Sequence, residues 1–222
     1  MVETDEEQLE VLKNWWGENG TSLITTIVLA VGVIFGFRAW EDNVKETGES
    51  ASKAYQNLIQ ASSNLKDENL RLTALSLGEE LKTDYEDSAY AIFAAFHLAK
   101  IAVDRDDLAK ARSELEWVIA AQPKQHLETI ARMRLARVLV AMDDADSALV
   151  SLADHEPAIG QQATWSEAKG DVYLAQGDRM NARQAYQTAL DSLGDDGSRP
   201  LLELKLADIP LVTDSLSTEE DI

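Results

Sequence analysis

The chain contains no cysteine, which excludes disulfides, thiolate-bound zinc and a thiol nucleophile. That absence leaves the compartment open, because a cysteine-free chain is tolerated on either side of a membrane. Histidine is scarce: His97, His126 and His155 are the only three, and none belongs to an H-E-x-x-H metal pair. His97 falls in a predicted helix, where a packed or partly exposed imidazole is expected rather than a ligand. There is no P-loop and no G-x-S-x-G elbow. Basic residues are outnumbered, 20 against 40 acids, for a formal charge of −20. Such a charge repels a phosphate backbone and anionic lipid, so nucleic-acid binding through an overall basic surface is disfavoured. Sustained period-two alternation is missing, as are hairpins bounded by Asn-Gly or Asp-Gly, and the soluble part is therefore predicted to be all-α. Nothing in the pattern calls for a metal or a cofactor.

What is present first is one long apolar run, Asn19 to Phe37, reading NGTSLITTIVLAVGVIFGF. As a helix its nineteen residues rise about 28 Å, close to the roughly 30 Å hydrocarbon core of a bilayer. A cleaved signal peptide would need a basic start, a shorter apolar core and a small-residue cleavage site. Residues 1–18 instead carry six acids against Lys13 alone, and the run closes on Phe37, Arg38 and Trp40. An uncleaved single-pass anchor over 19–40 is the expectation. Trp15, Trp16 and Trp40 bracket it as interfacial aromatics do, and Arg38 can snorkel to the headgroups. Gly32 and Gly36 form a G-x-x-x-G that would admit a second helix closely, although glycine is common in spanning helices. Lys13 precedes the span while Arg38, Lys45 and Lys53 follow it, a difference too small to orient the protein.

Ahead of the span, Leu9, Leu12 and Trp16 suggest a short amphipathic helix ending at Gly17. Residues 41–50 are polar and read as a juxtamembrane extension or linker. Apolar positions then recur at Ala51, Ala54, Tyr55, Leu58, Ala61 and Leu65, and again at Leu70, Ala74, Leu77 and Leu81, the rhythm of helices with one buried face. The helical domain is expected over 51–210, with an acidic tail at 211–222.

Internal repetition organises that domain. Leu98-Ala99-Lys100-Ile101 through Asp106-Asp107, Ala111 and Leu115 returns thirty-seven residues later as Leu135-Ala136-Arg137-Val138 through Asp143-Asp144, Ala148 and Leu152. A third copy follows thirty-four residues further on, with Val172, Gly177-Asp178, Ala182 and Tyr186. Each copy reads as helix, tight acidic turn, helix. The turn acids Asp106, Asp107, Asp143 and Asp144 sit where a helix needs an N-cap, and Asp195-Asp196-Gly197 reads as a plain turn, lacking the spaced acids of a calcium loop.

The third copy, GDVYLAQGDRMNARQAYQTAL, resembles a tetratricopeptide repeat, with Gly170, Tyr173, Gly177, Asp178, Ala182, Tyr186, Ala189 and Leu190 in the places of that pattern. The fold class is thus an N-terminal transmembrane helix followed by a tetratricopeptide-like helical-repeat solenoid. Taken whole, the chain resembles the YfgM-like family. The resemblance rests on EQLEVLKNWWGENG, the close of the span in Gly36-Phe37-Arg38-Ala39-Trp40, ASKAYQN from Ala51 to Asn57, MRLARV from Met133 to Val138, and the last repeat. It implies a single-pass protein of the bacterial inner membrane with a periplasmic domain, an ancillary subunit of the SecYEG translocon. Its implied partners are a membrane-anchored periplasmic prolyl isomerase, emerging polypeptides and periplasmic chaperones.

In such repeats the first helix of each pair lines the inner face. Carried over, that places Phe93, Phe96, Lys100 and Val103, then Ile130, Met133, Arg137 and Val140, then Thr164, Glu167, Asp171 and Leu174 on it. Aromatic and Met side chains beside basic residues could hold an extended peptide, giving a partner or client groove at the first eight. The competing arrangement has the Leu201, Leu202, Leu204 and Leu206 segment packed into the concavity, with the apolar residues as core. Two other functional readings stay open: a cytoplasmic-facing scaffold that binds a soluble regulatory or division protein, and an envelope hydrolase using Glu114 and Glu116. Those two acids are expected on an exposed helix face, which argues against the hydrolase.

Overall fold

The structure, a computed structural model, describes residues 5–153, 155–193 and 199–209. The acidic tail and the Asp195-Asp196-Gly197 turn lie outside the described residues. The described residues form helices and connecting turns, and the chain divides into two units, Met1–Lys53 and Ala54–Ile222.

The first unit is the greater part of α1, which runs from Asp5 to Ala61. It is long and apolar enough to cross a membrane, and only 6% of its most apolar stretch is buried, so it is no core helix. The expected end at Gly17 is not found; the helix continues through Gly17, Gly20 and residues 41–50. A helical glycine costs about 1 kcal/mol relative to alanine, too little to stop a helix with no proline and no competing cap. Trp16 also lies over Gly20, where a Cβ would come within 3.1 Å of the indole. The hydroxyls in the span turn back on their own helix: Thr25 Oγ1 donates to Thr21 O (2.8 Å) and Thr26 Oγ1 to Ser22 O (2.9 Å). A spanning helix must satisfy its polar groups internally in this way. Cβ atoms at Gly32 and Gly36 would meet nothing within 4 Å.

The second unit is a succession of packed helix pairs. After a 3-10 turn at Ser62–Asn64 come α2 (Glu68–Asp84), α3 (Ala89–Val103), α4 (Leu108–Ala120), α5 (Gln125–Ala141), α6 (Ala145–Ala153), α7 (Gln162–Ala175), α8 (Arg179–Asp191) and α9 (Pro200–Ala207). The three sequence repeats are the pairs α3/α4, α5/α6 and α7/α8. Their small residues Ala99, Ala111, Ala136, Ala148, Gly170 and Ala182 are all buried, which lets paired helices approach. In α2 the buried row is Ala74, Gly78 and Leu81, while Leu70 is exposed, contrary to the expected periodic row. Gly78 takes the buried place because Leu98 of α3 fills it, its side chain 2.7 Å from where a Cβ would stand.

Each repeat turn is the same device. Asp106, Asp143 and Gly177 have φ of 62°, 60° and 78°, and the next residue closes a six-to-one bond: Asp107 N to Ala102 O, Asp144 N to Leu139 O, Asp178 N to Tyr173 O, each 2.9 Å. That is a Schellman close of the first helix. The carboxylates of Asp107, Asp144 and Asp178 then accept from the amides of Lys110, Ser147 and Asn181 and cap the second helix. Of the four turn acids, therefore, Asp107 and Asp144 are caps, whereas Asp106 and Asp143 occupy the left-handed position that the third copy gives to glycine.

Candidate functional site

α3, α4 and α5 enclose a cavity of about 360 Å³ lined by Phe96, Ala99, Lys100, Val103, Leu108, Leu115, Arg134, Arg137, Val138 and Ala141. Its floor is apolar because Ala99, Leu115 and Val138 belong to the continuous core of the repeats. Its rim is basic. Lys100 Nζ is 2.6 Å from Asp104 Oδ2 one turn on, while Arg134 and Arg137 form no ion pair among the described residues. Arg134 instead lies over the Phe96 ring, 4.8 Å from its centroid, a cation–π arrangement. Burial, and secondarily the neighbouring charge of Arg137, holds the Arg134 guanidinium below its ordinary pKa.

Four of the eight predicted groove residues, Phe96, Lys100, Val103 and Arg137, line this cavity. The others do not. Met133 is buried in the repeat core, and Ile130 and Val140 are partly buried against that core. Phe93 joins Tyr55 and Tyr90, with ring centroids 6.0 and 6.3 Å away. The reason is packing: α5 contacts α4, α6 and α7, so positions along a single row of it are covered to different depths. Arg134 was missed because it falls one step off the transferred row. Its pairing with Arg137 at i, i+3 was the available signal.

The C-terminal helix does not fill the cavity. α9 packs on α8, where Leu202 and Ile209 join Ala182, Tyr186 and Ala189 in a separate cluster. Its flank covers the third copy: Arg199 and Lys205 both bond Glu167 at 2.9 Å, and Lys205 Nζ is 2.7 Å from Asp171. Leu201 and Leu204 remain exposed. The α9 segment thus covers Glu167 and Asp171 of the third repeat and leaves the cavity between α3 and α5 uncovered.

No catalytic carboxylate pair is assembled at Glu114 and Glu116. Glu114 is 1% exposed rather than on an open face, and both Lys82 and Lys110 reach it at 2.7 Å. Its hydrogen bond pushes the Lys110 pKa up to about 12. Glu116 is paired on the surface with Arg112. His155 meets Thr129 Oγ1 at 2.9 Å and Glu128 at 3.4 Å, and burial pushes its pKa down. It fastens the α6–α7 connection to α5, since Ala158 N also donates to Thr129 Oγ1. Among the described residues no group of three His, Cys, Asp or Glu side chains could hold a metal.

The model of the tetratricopeptide repeat-like domain family matches residues 13–211. An ancillary SecYEG translocon subunit of Aggregatibacter actinomycetemcomitans is 31% identical over 194 residues, 86% of this chain and 90% of that protein. The chain belongs to the family of ancillary SecYEG translocon subunits, within the tetratricopeptide repeat-like fold. Its Escherichia coli member is 29% identical over 211 residues, 95% of this chain and 99% of the relative, and its Haemophilus influenzae member 29% over 202 residues. No solved structure gives a significant match. The family match includes the apolar stretch of α1 and every residue of the cavity.

Proposed function

We propose that this chain is an ancillary subunit of the SecYEG translocon, anchored in the bacterial inner membrane by α1, with its repeats in the periplasm. It works as a non-catalytic interaction module beside a membrane-anchored periplasmic prolyl isomerase and helps hand translocated polypeptides to periplasmic chaperones. The observation that carries this reading is end-to-end likeness: a relative named as a translocon subunit aligns over 95% of the chain. The cavity between α3 and α5 is the client or partner groove, and the Gly32 and Gly36 face of the span is the contact with a partner membrane helix. Tethering beside the pore raises the effective concentration of weak contacts toward the millimolar range, so a shallow cavity suffices.

Photocrosslinkers at Phe96 and Gly36 of the full-length protein test both contacts in cells. Capture of a nascent secreted chain from Phe96 and of a translocon helix from Gly36 is expected. Replacing Lys100 and Arg137 with Glu should abolish the first and spare the second; unchanged capture by a folded variant would remove the groove. Protease added to osmotically opened cells should digest the repeat domain while a cytoplasmic control survives. Protection until membrane lysis would instead favour a cytoplasmic-facing scaffold for a soluble regulatory or division protein.

A further inference from the structure

The groove has a chemical preference that its two arginines set. We propose that the α3–α5 cavity selects polypeptide segments in which a bulky apolar side chain is followed closely by a carboxylate, and that Arg134 is the residue that reads the carboxylate. This deepens the client-groove reading and rests on it.

Charge complementarity carries the proposal. The protein has twice as many acids as bases, yet the rim of this cavity presents Lys100, Arg134 and Arg137 together. Lys100 is already matched to Asp104. Arg134 and Arg137, one helical turn apart, have no carboxylate among the described residues, although unpaired cations on an acidic protein would ordinarily find one. Arg134 is further held over Phe96, which fixes its planar fork while leaving its N–H groups free for a bidentate carboxylate. Partial burial and the repulsion from Arg137 both disfavour its charge, and an incoming anion relieves that repulsion.

The apolar half of the preference follows from the floor. Phe96, Val103, Leu108 and Val138 surround a volume of about 360 Å³, at the small end of the roughly 300–1,000 Å³ range of ligand-holding clefts. It admits side chains of an extended segment and not a folded domain. The overall negative charge does not forbid an acidic segment, because exposed charges beyond about 8 Å are screened at physiological ionic strength. Within the cavity the nearest rim charges govern.

Fluorescently labelled ten-residue peptides binding to the full-length protein in nanodiscs of neutral lipid test this. One peptide carries Leu-Phe-Asp-Glu at its centre, a second Leu-Phe-Asn-Gln, a third Gly-Ser-Asp-Glu. The first should bind tightest, with the second and third each about tenfold weaker, the order expected for one charge-assisted hydrogen bond or one lost apolar anchor. Arg134→Gln should bring the first peptide down to the affinity of the second and leave the second unchanged. Equal binding of the first two, indifferent to Arg134→Gln but abolished by Val103→Glu on the exposed rim, would overturn the carboxylate preference and keep the groove. Binding of any peptide that Val103→Glu does not weaken, or no binding at all, would overturn both.

Discussion

Tyr186 of α8 lies against the backbone of Gly170 in α7, so close that a Cβ at position 170 would overlap its ring carbons Cδ1 and Cε1. Its hydroxyl donates to Asp171 Oδ1 at 2.8 Å, and the ring is completely buried. Backbone, ring and carboxylate thereby lock the third repeat to α9, because Asp171 also receives Lys205.

Gly170→Ala should destabilise the repeat domain despite alanine's better helix propensity. Overpacking costs about 1–3 kcal/mol, against roughly 1 kcal/mol gained from propensity. Thermal unfolding of the full-length protein in detergent, followed by circular dichroism, should show a lower midpoint. Pairing the change with Tyr186→Leu should recover part of the loss by removing the clash.

The turn residues give predictions of opposite sign at equivalent places. Asp143→Gly should stabilise or leave stability unchanged, since a left-handed non-glycine residue costs about 1–2 kcal/mol. Gly177→Ala should destabilise by about 1 kcal/mol, because φ is 78° there. Denaturant midpoints at unchanged slope would check both.

Glu114 is the buried charge on which α2 and α4 meet. Glu114→Leu alone leaves Lys82, whose side chain is 10% exposed, with only the more exposed Glu79 as a partner among the described residues, and should cost about 3 kcal/mol. Adding Lys82→Met should restore much of that, since the buried cation leaves with the buried anion and Lys110 keeps Glu79. A double-mutant cycle on unfolding free energy measures the coupling.

Acid should loosen the repeats through their caps. Hydrogen bonds from Ser147 and from Asn181 hold the carboxyls of Asp144 and Asp178 below their ordinary pKa. Glu79 is held low as well: burial raises it, but hydrogen bonds from Lys110 and Lys82 outweigh that. A depressed carboxyl pKa contributes stability that is present above the unfolded value and lost as pH falls through the folded one. Stability should therefore decline below about pH 4–5. Asn at both 144 and 178 keeps the caps without the titration, and should flatten the decline in melting temperature measured across that range.

Legibility differed with the range of the interaction. The helix pairs, the tight acidic turns and the small residues at Ala99, Ala136 and Gly170 were readable because they repeat along the chain, and repetition exposes any position that packing constrains. The lining of the cavity was half readable. Phe96, Lys100, Val103 and Arg137 line the cavity, but Met133 sinks into the core and Phe93 turns to Tyr55 and Tyr90. A transferred row states only which side of a helix is involved, and each residue's depth depends on what its neighbours fill.

By itself the sequence determined the apolar helix, the all-α class, the repeat register and the family, since each is written in local composition or spacing. Tertiary structure alone decided that Glu114 is buried between two lysines, that α9 covers Glu167 and Asp171 and leaves the α3–α5 cavity open, and that Arg134 stands over Phe96. Apart from Lys110, which lies one turn from Glu114, those contacts join residues about thirty or more apart in the chain, and no local pattern encodes which distant side chain arrives to meet a charge.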